Sequence, residues 1–169
     1  MIKVYWPDKL ARDIVGRKKY NYLDKEIPKI KKFVLKSSTS ISGVPHIGNA
    51  SDVIRHDALF RALNGMGKPT RLLWVAEDMD ALRKVPAGIP PEFRKNLGMP
   101  VADIPWVDDK SYSTHFSDLF IESFEDYGVK VECKSTAKAY RSGEFTKGIK
   151  TIMKNLDLIK EIWNKSRET

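Results

Sequence analysis

Two apolar runs separated by a helical pattern most constrain how this sequence folds. Phe33, Val34 and Leu35 form a run typical of a buried strand, and a second, nearly continuous run extends from Leu72 to Ala76. Between them, "ASDVIRHDALFRALNGMGKP" has apolar residues at helical spacing and ends in glycines and a proline, which stop a helix. A strand, a helix and a second strand predict a βαβ unit, and such units build parallel sheets.

Further elements are predicted on both sides of this unit. Residues 7–18 predict a short leading helix, and residues 86–110, which hold five of the nine prolines, predict an irregular insertion. A helical stripe follows over 116–127, and apolar residues alternate over 129–133 as in a half-buried strand. Residues 145–163 predict one long amphipathic helix whose wide apolar stripe needs a partner surface. The chain is therefore expected to be part of something larger.

Composition narrows the class of protein. The chain is 41% hydrophobic and 31% charged, and it contains no apolar run of the ~18–20 residues that cross a bilayer. The N-terminus lacks the pattern of a secretory signal, and Cys133 is the single cysteine, so we expect a cytoplasmic protein without a membrane partner. A net charge of +8 favours contact with polyanions, although much of the excess lies on amphipathic helices, where lysines are often simply solvated.

The stretch "SISGVPHIGN" lies between the first strand and its helix. We predict that the helix begins just after Gly48, so that its N-terminus attracts an anion such as phosphate. Gly43 and Gly48 allow close approach of a nucleotide, and His46 can place a ring nitrogen against a phosphate oxygen. The Gly-Lys-Ser/Thr of a Walker loop is absent. Alternatively, both glycines serve turn geometry and His46 is incidental.

These residues also carry a family resemblance. "SISGVPHIGNASDVIRHDALFRAL" resembles the first signature of class I aminoacyl-tRNA synthetases, most closely the archaeal-type, class I lysyl-tRNA synthetases. Further similar blocks occur in order, namely "YWPDKLARDI", "EDMDALRKVP", "IPPEF", "LGMPVADIP", "SYSTHF" and "YRSGEFTKGI". The resemblance implies an α/β fold: a Rossmann-like parallel sheet with flanking helices, as in the first half of the catalytic domain.

The resemblance also implies a reaction and a set of site residues. Lysine and ATP, with Mg²⁺, would form lysyl-adenylate, and the lysyl group would pass to the acceptor end of tRNA. His46 and Asn49 would be the catalytic residues on the triphosphate, and no metal ligand is predicted in the protein. Contacts to ATP are expected from Ser42, Gly43, His46, Gly48 and Asn49, and contacts to the amino acid from Ser38, Ser40, Asp78 and Asp80.

Several of these residues have alternative interpretations. Glu77, Asp78 and Asp80 could instead cap the following segment. Arg83 and Lys84 could bind tRNA or the triphosphate, or could be solvated. The remaining candidates are predicted to be structural: His56 within the first crossover helix, and Tyr112 and His115, which would begin a helix and pack on the insertion.

Departures from the family pattern affect activity. Ser38 replaces a usual glycine and Ile41 a usual proline, which bears on lysine specificity. The lysine-rich second signature, the second half of the nucleotide-binding fold and the anticodon-binding region do not occur in residues 1–169. We therefore expect a single domain that is a fragment or truncated relative, weak or inactive alone, with a separate chain as a candidate for the missing half. Two other functions stay open: a small nucleotidyltransferase acting on another acceptor, and a non-catalytic module that binds RNA or a partner protein.

Overall fold

A computed structural model describes residues 5–20, 25–165 and 167 of the chain. Two short 3₁₀ helices, Pro91–Asn96 and Val101–Asp103, lie in the proline-rich segment. The helices and strands are, in order, α1 (Trp6–Gly16), β1 (Phe33–Thr39), α2 (Ile47–Gly65), β2 (Thr70–Ala76), α3 (Tyr112–Asp126), β3 (Glu132–Ser135), α4 (Thr136–Arg141), α5 (Thr146–Lys154) and α6 (Leu156–Lys165).

The three strands form a parallel sheet in the order β1-β2-β3, which confirms the βαβ prediction. The register pairs Ser37 with Trp74 and Thr39 with Ala76. Because side chains alternate along a strand, these four residues face the same side of the sheet. There the indole N–H of Trp74 donates to Thr39 Oγ1 over 3.1 Å. Parallel pairing also brings the carboxyl ends of all three strands to one edge.

The core lies between this face of the sheet and α3. The Trp74 ring meets Phe120 and Phe124 of α3 nearly edge-on, with centroid separations of 5.5 Å and 5.7 Å. Edge-to-face packing of large rings stabilises a core beyond the apolar area that it buries. A second cluster, centred on Ala11 and Leu63, joins α1 to α2. The predicted α/β architecture with a Rossmann-like sheet is thereby confirmed.

Two predicted boundaries near the strands were wrong. The first crossover helix begins at Ile47, so Gly48 lies inside its first turn. The third strand is Glu132–Ser135, because pairing with β2 starts only at Glu132, opposite Leu73. Val129 precedes the strand and is buried in the main core, which explains the alternating apolar pattern.

The prediction of one long final helix was also wrong. α5 ends at Lys154 and α6 starts at Leu156. Asn155 separates them: its backbone leaves the helical region at φ −119° and ψ 25°, and its side-chain amide donates to Thr151 O over 2.7 Å. Asparagine side chains compete in this way with the helical ladder. No described residue of α5 or α6 is buried, so their apolar stripes are exposed.

Candidate functional site

The loop 40–46 connects the carboxyl end of β1 to the N-terminus of α2. Ile41, 2% exposed, anchors this loop in the main core, whereas the neighbouring Ser40 and Ser42 are exposed. The isoleucine that departs from the family pattern is therefore a core residue. The loop lies at the strand-end edge where open α/β sheets bind nucleotides.

His46 is the N-cap residue of α2. Its backbone is extended, at φ −134° and ψ 173°, and its Nδ1 accepts the N–H of Gly48 over 3.1 Å. In return, Asn49 Oδ1 accepts the backbone N–H of His46 over 3.0 Å. This reciprocal capping satisfies helix N–H groups that would otherwise lack partners, and it fixes the imidazole.

The capping geometry also selects the tautomer of His46. Because Nδ1 accepts a hydrogen bond, the neutral ring carries its proton on Nε2. The side chain is exposed, and within the described chain Nε2 has no protein partner. His46 therefore presents a free N–H donor at the positive end of α2.

Gly48 is needed by the His46 ring itself. A Cβ atom at Gly48 would lie 2.8 Å from Cε1 and 2.9 Å from Nδ1 of that ring, which is closer than such contacts allow. The sequence assigned this glycine to close approach of a nucleotide. The structure adds a local reason, which is that only glycine leaves room for the histidine cap.

Ser40 connects two carboxylates at the end of β2. Its hydroxyl lies 2.6 Å from Asp80 Oδ2 and 3.3 Å from Glu77 Oε2. Lys36 Nζ lies 3.8 Å from the other oxygen of Glu77. The structure thus brings together Ser40 and Asp80, both predicted for the amino-acid site. It adds Glu77, which immediately follows β2 and for which the sequence left both capping and a substrate contact open.

Asp78 has a different environment. The residue is 5% exposed, and its carboxylate accepts from Ser135 Oγ at 2.6 Å, Thr136 Oγ1 at 2.8 Å and the Ala137 N–H at 2.7 Å. These bonds fasten the end of β2 to the first turn of α4. Protein donors thus occupy the carboxylate that the sequence assigned to lysine or ribose.

Ser38 and Gly43 lie on either side of Ser40 along the chain. Ser38 is half-buried and, two residues before Ser40, faces the side of the sheet opposite Ser37 and Thr39. A Cβ on Gly43 would lie 3.1 Å from Pro86 Cγ and 3.6 Å from the hydroxyl of Tyr112, so the loop packs closely on these two side chains.

A cavity of about 310 Å³ joins the loop to the segment after β2. Ser40, Ser42 and Asp80 line it, together with Arg83 and Lys84. A larger cavity of about 410 Å³, between α3 and the β3–α4 junction, includes Asp78 but no residue of the loop. Of these two cavities, the smaller contains residues predicted to bind ATP as well as residues predicted to bind the amino acid.

The residues predicted to be structural have protein contacts. His56 lies in α2 and its Nδ1 is 2.8 Å from Asp52 O. Ser111 caps α3, so Tyr112 and His115 lie in its first turn, where both rings contact Trp106 of the insertion. Both placements agree with the sequence predictions.

Two kinds of feature are absent from the described residues. No group of three or more His, Cys, Asp or Glu side chains that could hold a metal ion occurs within 5–20, 25–165 and 167. No helix in this part of the chain is long and apolar enough to cross a membrane.

The parallel sheet, the strand-end loop and the capped helix define a Rossmann-like α/β protein whose loop lies where such folds bind nucleotides. The sequence model of the family described as tRNA synthetases class I (K) matches residues 4–169. Lysine–tRNA ligases from Methanosphaera stadtmanae, Thermococcus kodakarensis and Pyrococcus horikoshii are 32%, 34% and 32% identical over 97–98% of this chain. The chain therefore belongs to the class I lysyl-tRNA synthetase family. It spans about 30% of the length of these relatives.

Proposed function

We propose that this chain forms the ATP-binding part of a class I lysyl-tRNA synthetase, which activates lysine to lysyl-adenylate and transfers it to tRNA(Lys). The observation that carries the proposal is the capped His46, whose free Nε2–H faces outward at the N-terminus of α2. ATP is the small-molecule substrate that the family implies. The acceptor end of tRNA is the proposed macromolecular partner. A cytoplasmic location and a single Rossmann-like domain over residues 1–169 stay predictions from the sequence.

On this proposal, catalysis uses positioning and charge stabilisation. The carboxylate of lysine attacks the α-phosphorus, and the bond from phosphorus to the leaving pyrophosphate breaks. His46 donates through Nε2 to a phosphate oxygen whose charge grows, while the Gly48 N–H holds the ring at Nδ1 and Asn49 accepts the backbone N–H of His46. The exposed N-terminus of α2 adds the favourable field of the helix dipole.

Mg²⁺ would reach this site with the triphosphate. Magnesium bound with a nucleotide is held mainly by phosphate oxygens and water. When bound, such an ion would neutralise charge on the β- and γ-phosphates. The residues of this chain would bind around that complex, with Ser42, Gly43 and Gly48 at closest approach.

The amino-acid side of the site is proposed at Ser38, Ser40 and Asp80, with Glu77 added. Ser40 has one hydroxyl proton to share between two carboxylates, so their combined negative charge is only partly balanced, in part by Lys36. A lysine ammonium would supply the missing positive charge. We propose that Asp78 acts through its bonds to α4, holding the end of β2 in place.

Activity of these 169 residues by themselves is expected to be weak. The lysine-rich loop of the class I signature does not occur in the sequence. Loss of comparable transition-state donors costs about 3–4 kcal/mol each. A second chain, or further residues of the same protein, would supply those groups.

The experiment is calorimetric titration with non-hydrolysable aminoacyl-adenylate analogues. Tighter binding of the lysyl analogue than of leucyl or arginyl analogues would support the proposal. Equal binding of all three would favour a nucleotidyltransferase for another acceptor. Salt-dependent tRNA binding with no binding of any adenylate would favour an RNA-binding module.

A further inference from the structure

The buried side chain of Tyr112 contacts the loop 40–46 from the core of the protein. The residue is 0% exposed, and its hydroxyl donates to the Ser42 carbonyl over 2.8 Å, although the two residues are 70 positions apart. Its ring is fixed by Phe116 of α3 at 4.8 Å and by Trp106 and Phe93 of the insertion at 5.3 Å and 6.0 Å between centroids. The hydroxyl is thus held rigidly by elements distant in sequence.

This bond determines the orientation of a whole peptide unit. The chain has no cis peptide bond among its described residues, so the C=O of Ser42 and the N–H of Gly43 point in opposite directions from one planar group. With the carbonyl drawn toward buried Tyr112, the Gly43 N–H points away from the core. In the described structure that N–H donates to no protein acceptor.

We propose that Tyr112 is a positioning residue that aims the Gly43 N–H at a phosphate oxygen of the bound nucleotide. This inference rests on the proposed function, since it names a further anion donor in the same site. A backbone N–H held in place before the ligand arrives needs no reorganisation when it binds, which is what makes such donors effective.

This peptide unit is also closely packed. Gly43 has Pro86 and the Tyr112 hydroxyl on the side where a Cβ would stand. Burial raises the pKa of Tyr112 to about 12, so the phenol stays protonated and can donate at physiological pH. The insertion and α3 therefore fix the loop even though neither forms part of its chain segment.

The test compares Tyr112→Phe with Phe124→Leu, a core change in the same helix that does not touch the loop. Two properties are measured: exchange of the Gly43 amide proton by NMR without ligand, and affinity for ATP and for adenosine. We expect Tyr112→Phe to change Gly43 amide exchange and weaken ATP binding about 3- to 10-fold, the scale of one hydrogen bond. Adenosine affinity should be unchanged, because adenosine has no phosphate.

Phe124→Leu should lower stability and leave both properties as in the wild type. An unchanged Gly43 amide in Tyr112→Phe, or equal weakening of ATP and adenosine, would overturn the inference. If the wild-type chain binds no ATP, the proposed function and the phosphate role fail together. The Gly43 amide still decides, in that case, whether Tyr112 orients the loop.

Discussion

The imidazole of His46 lies against the backbone of Gly48, and its Nδ1 accepts the Gly48 N–H over 3.1 Å. A side chain at position 48 would occupy the space of the ring. One glycine thus determines where a proposed phosphate-binding histidine can stand.

Gly48→Ala should therefore lower the affinity for ATP while leaving the stability of the protein nearly unchanged. The displaced ring loses a cap worth about 1 kcal/mol, while alanine gains up to about 1 kcal/mol of helix propensity, so the free energy of unfolding should change little. ATP affinity should fall, because Nε2 moves with the ring. Calorimetry and urea unfolding measure the two effects. Gly65→Ala, in the last turn of the same helix with nothing within 4 Å, is the matched control and should bind ATP normally. Normal ATP affinity in Gly48→Ala would contradict the assigned ring position.

Asp78→Asn should chiefly destabilise the fold. The amide group would place an N–H₂ where the carboxylate now accepts from Ser135, Thr136 or the Ala137 N–H. Loss of a charged, buried acceptor should cost about 2–3 kcal/mol in urea unfolding. Asp103→Asn, on an exposed pair with Arg141, should cost under ~1 kcal/mol. A stable Asp78→Asn protein that no longer binds lysine would instead support direct substrate contact.

Removing the hydroxyl of Ser37 should stabilise the protein. Its hydroxyl is buried and has no hydrogen-bond partner in the described structure. Ser37→Ala removes an unsatisfied group and should raise the free energy of unfolding by about 1 kcal/mol. Thr39→Val, two residues along the same face, should lower it, because it leaves the Trp74 N–H without its acceptor. A loss of stability in Ser37→Ala would show that the hydroxyl has a partner.

Tyr112 should make stability fall at high pH. Burial raises the pKa of its phenol from 10.0 in the ordinary case to about 12. The unfolded chain then loses this proton at a lower pH than the folded chain does. The contribution of the protonated phenol to the free energy of unfolding is therefore fully present below pH 10 and is lost as pH rises toward 12. At 1.36 kcal/mol per unit the loss is at most about 2.7 kcal/mol. Unfolding measured from pH 8 to 11 should show a weaker decline in Tyr112→Phe, and identical slopes would contradict the assignment.

The parallel sheet could be predicted because its signals are local. The apolar runs at 33–35 and 72–76 and the helical spacing between them each lie within one short window. The start of β3 could not be predicted, because its first residue, Glu132, depends on where Leu73 offers a backbone partner. The break at Asn155 has a local cause, but a wide apolar stripe on both sides obscured it.

The candidate site was predictable only in part, because only some of its contacts join residues that are close in sequence. His46, Gly48 and Asn49 form a contiguous motif, and their contacts are local. The bonds from Tyr112 to Ser42 and from Ser40 to Asp80 join residues 70 and 40 positions apart, so no sequence window contains them. Asp78 was identified by its strand-end position, yet its three donors come from the end of β3, at Ser135, and from the first turn of α4, a helix that the sequence did not predict.

The most direct test of the proposed site is the affinity of the chain for ATP, measured by calorimetry on the wild type, His46→Ala and His46→Asn. Asparagine is a good N-cap residue, so His46→Asn keeps the helix start but removes the ring. We predict that both variants bind ATP about 10- to 100-fold more weakly, the scale of a lost hydrogen bond to a charged group. Wild-type affinity in His46→Ala, or full recovery in His46→Asn, would contradict a direct role for the imidazole.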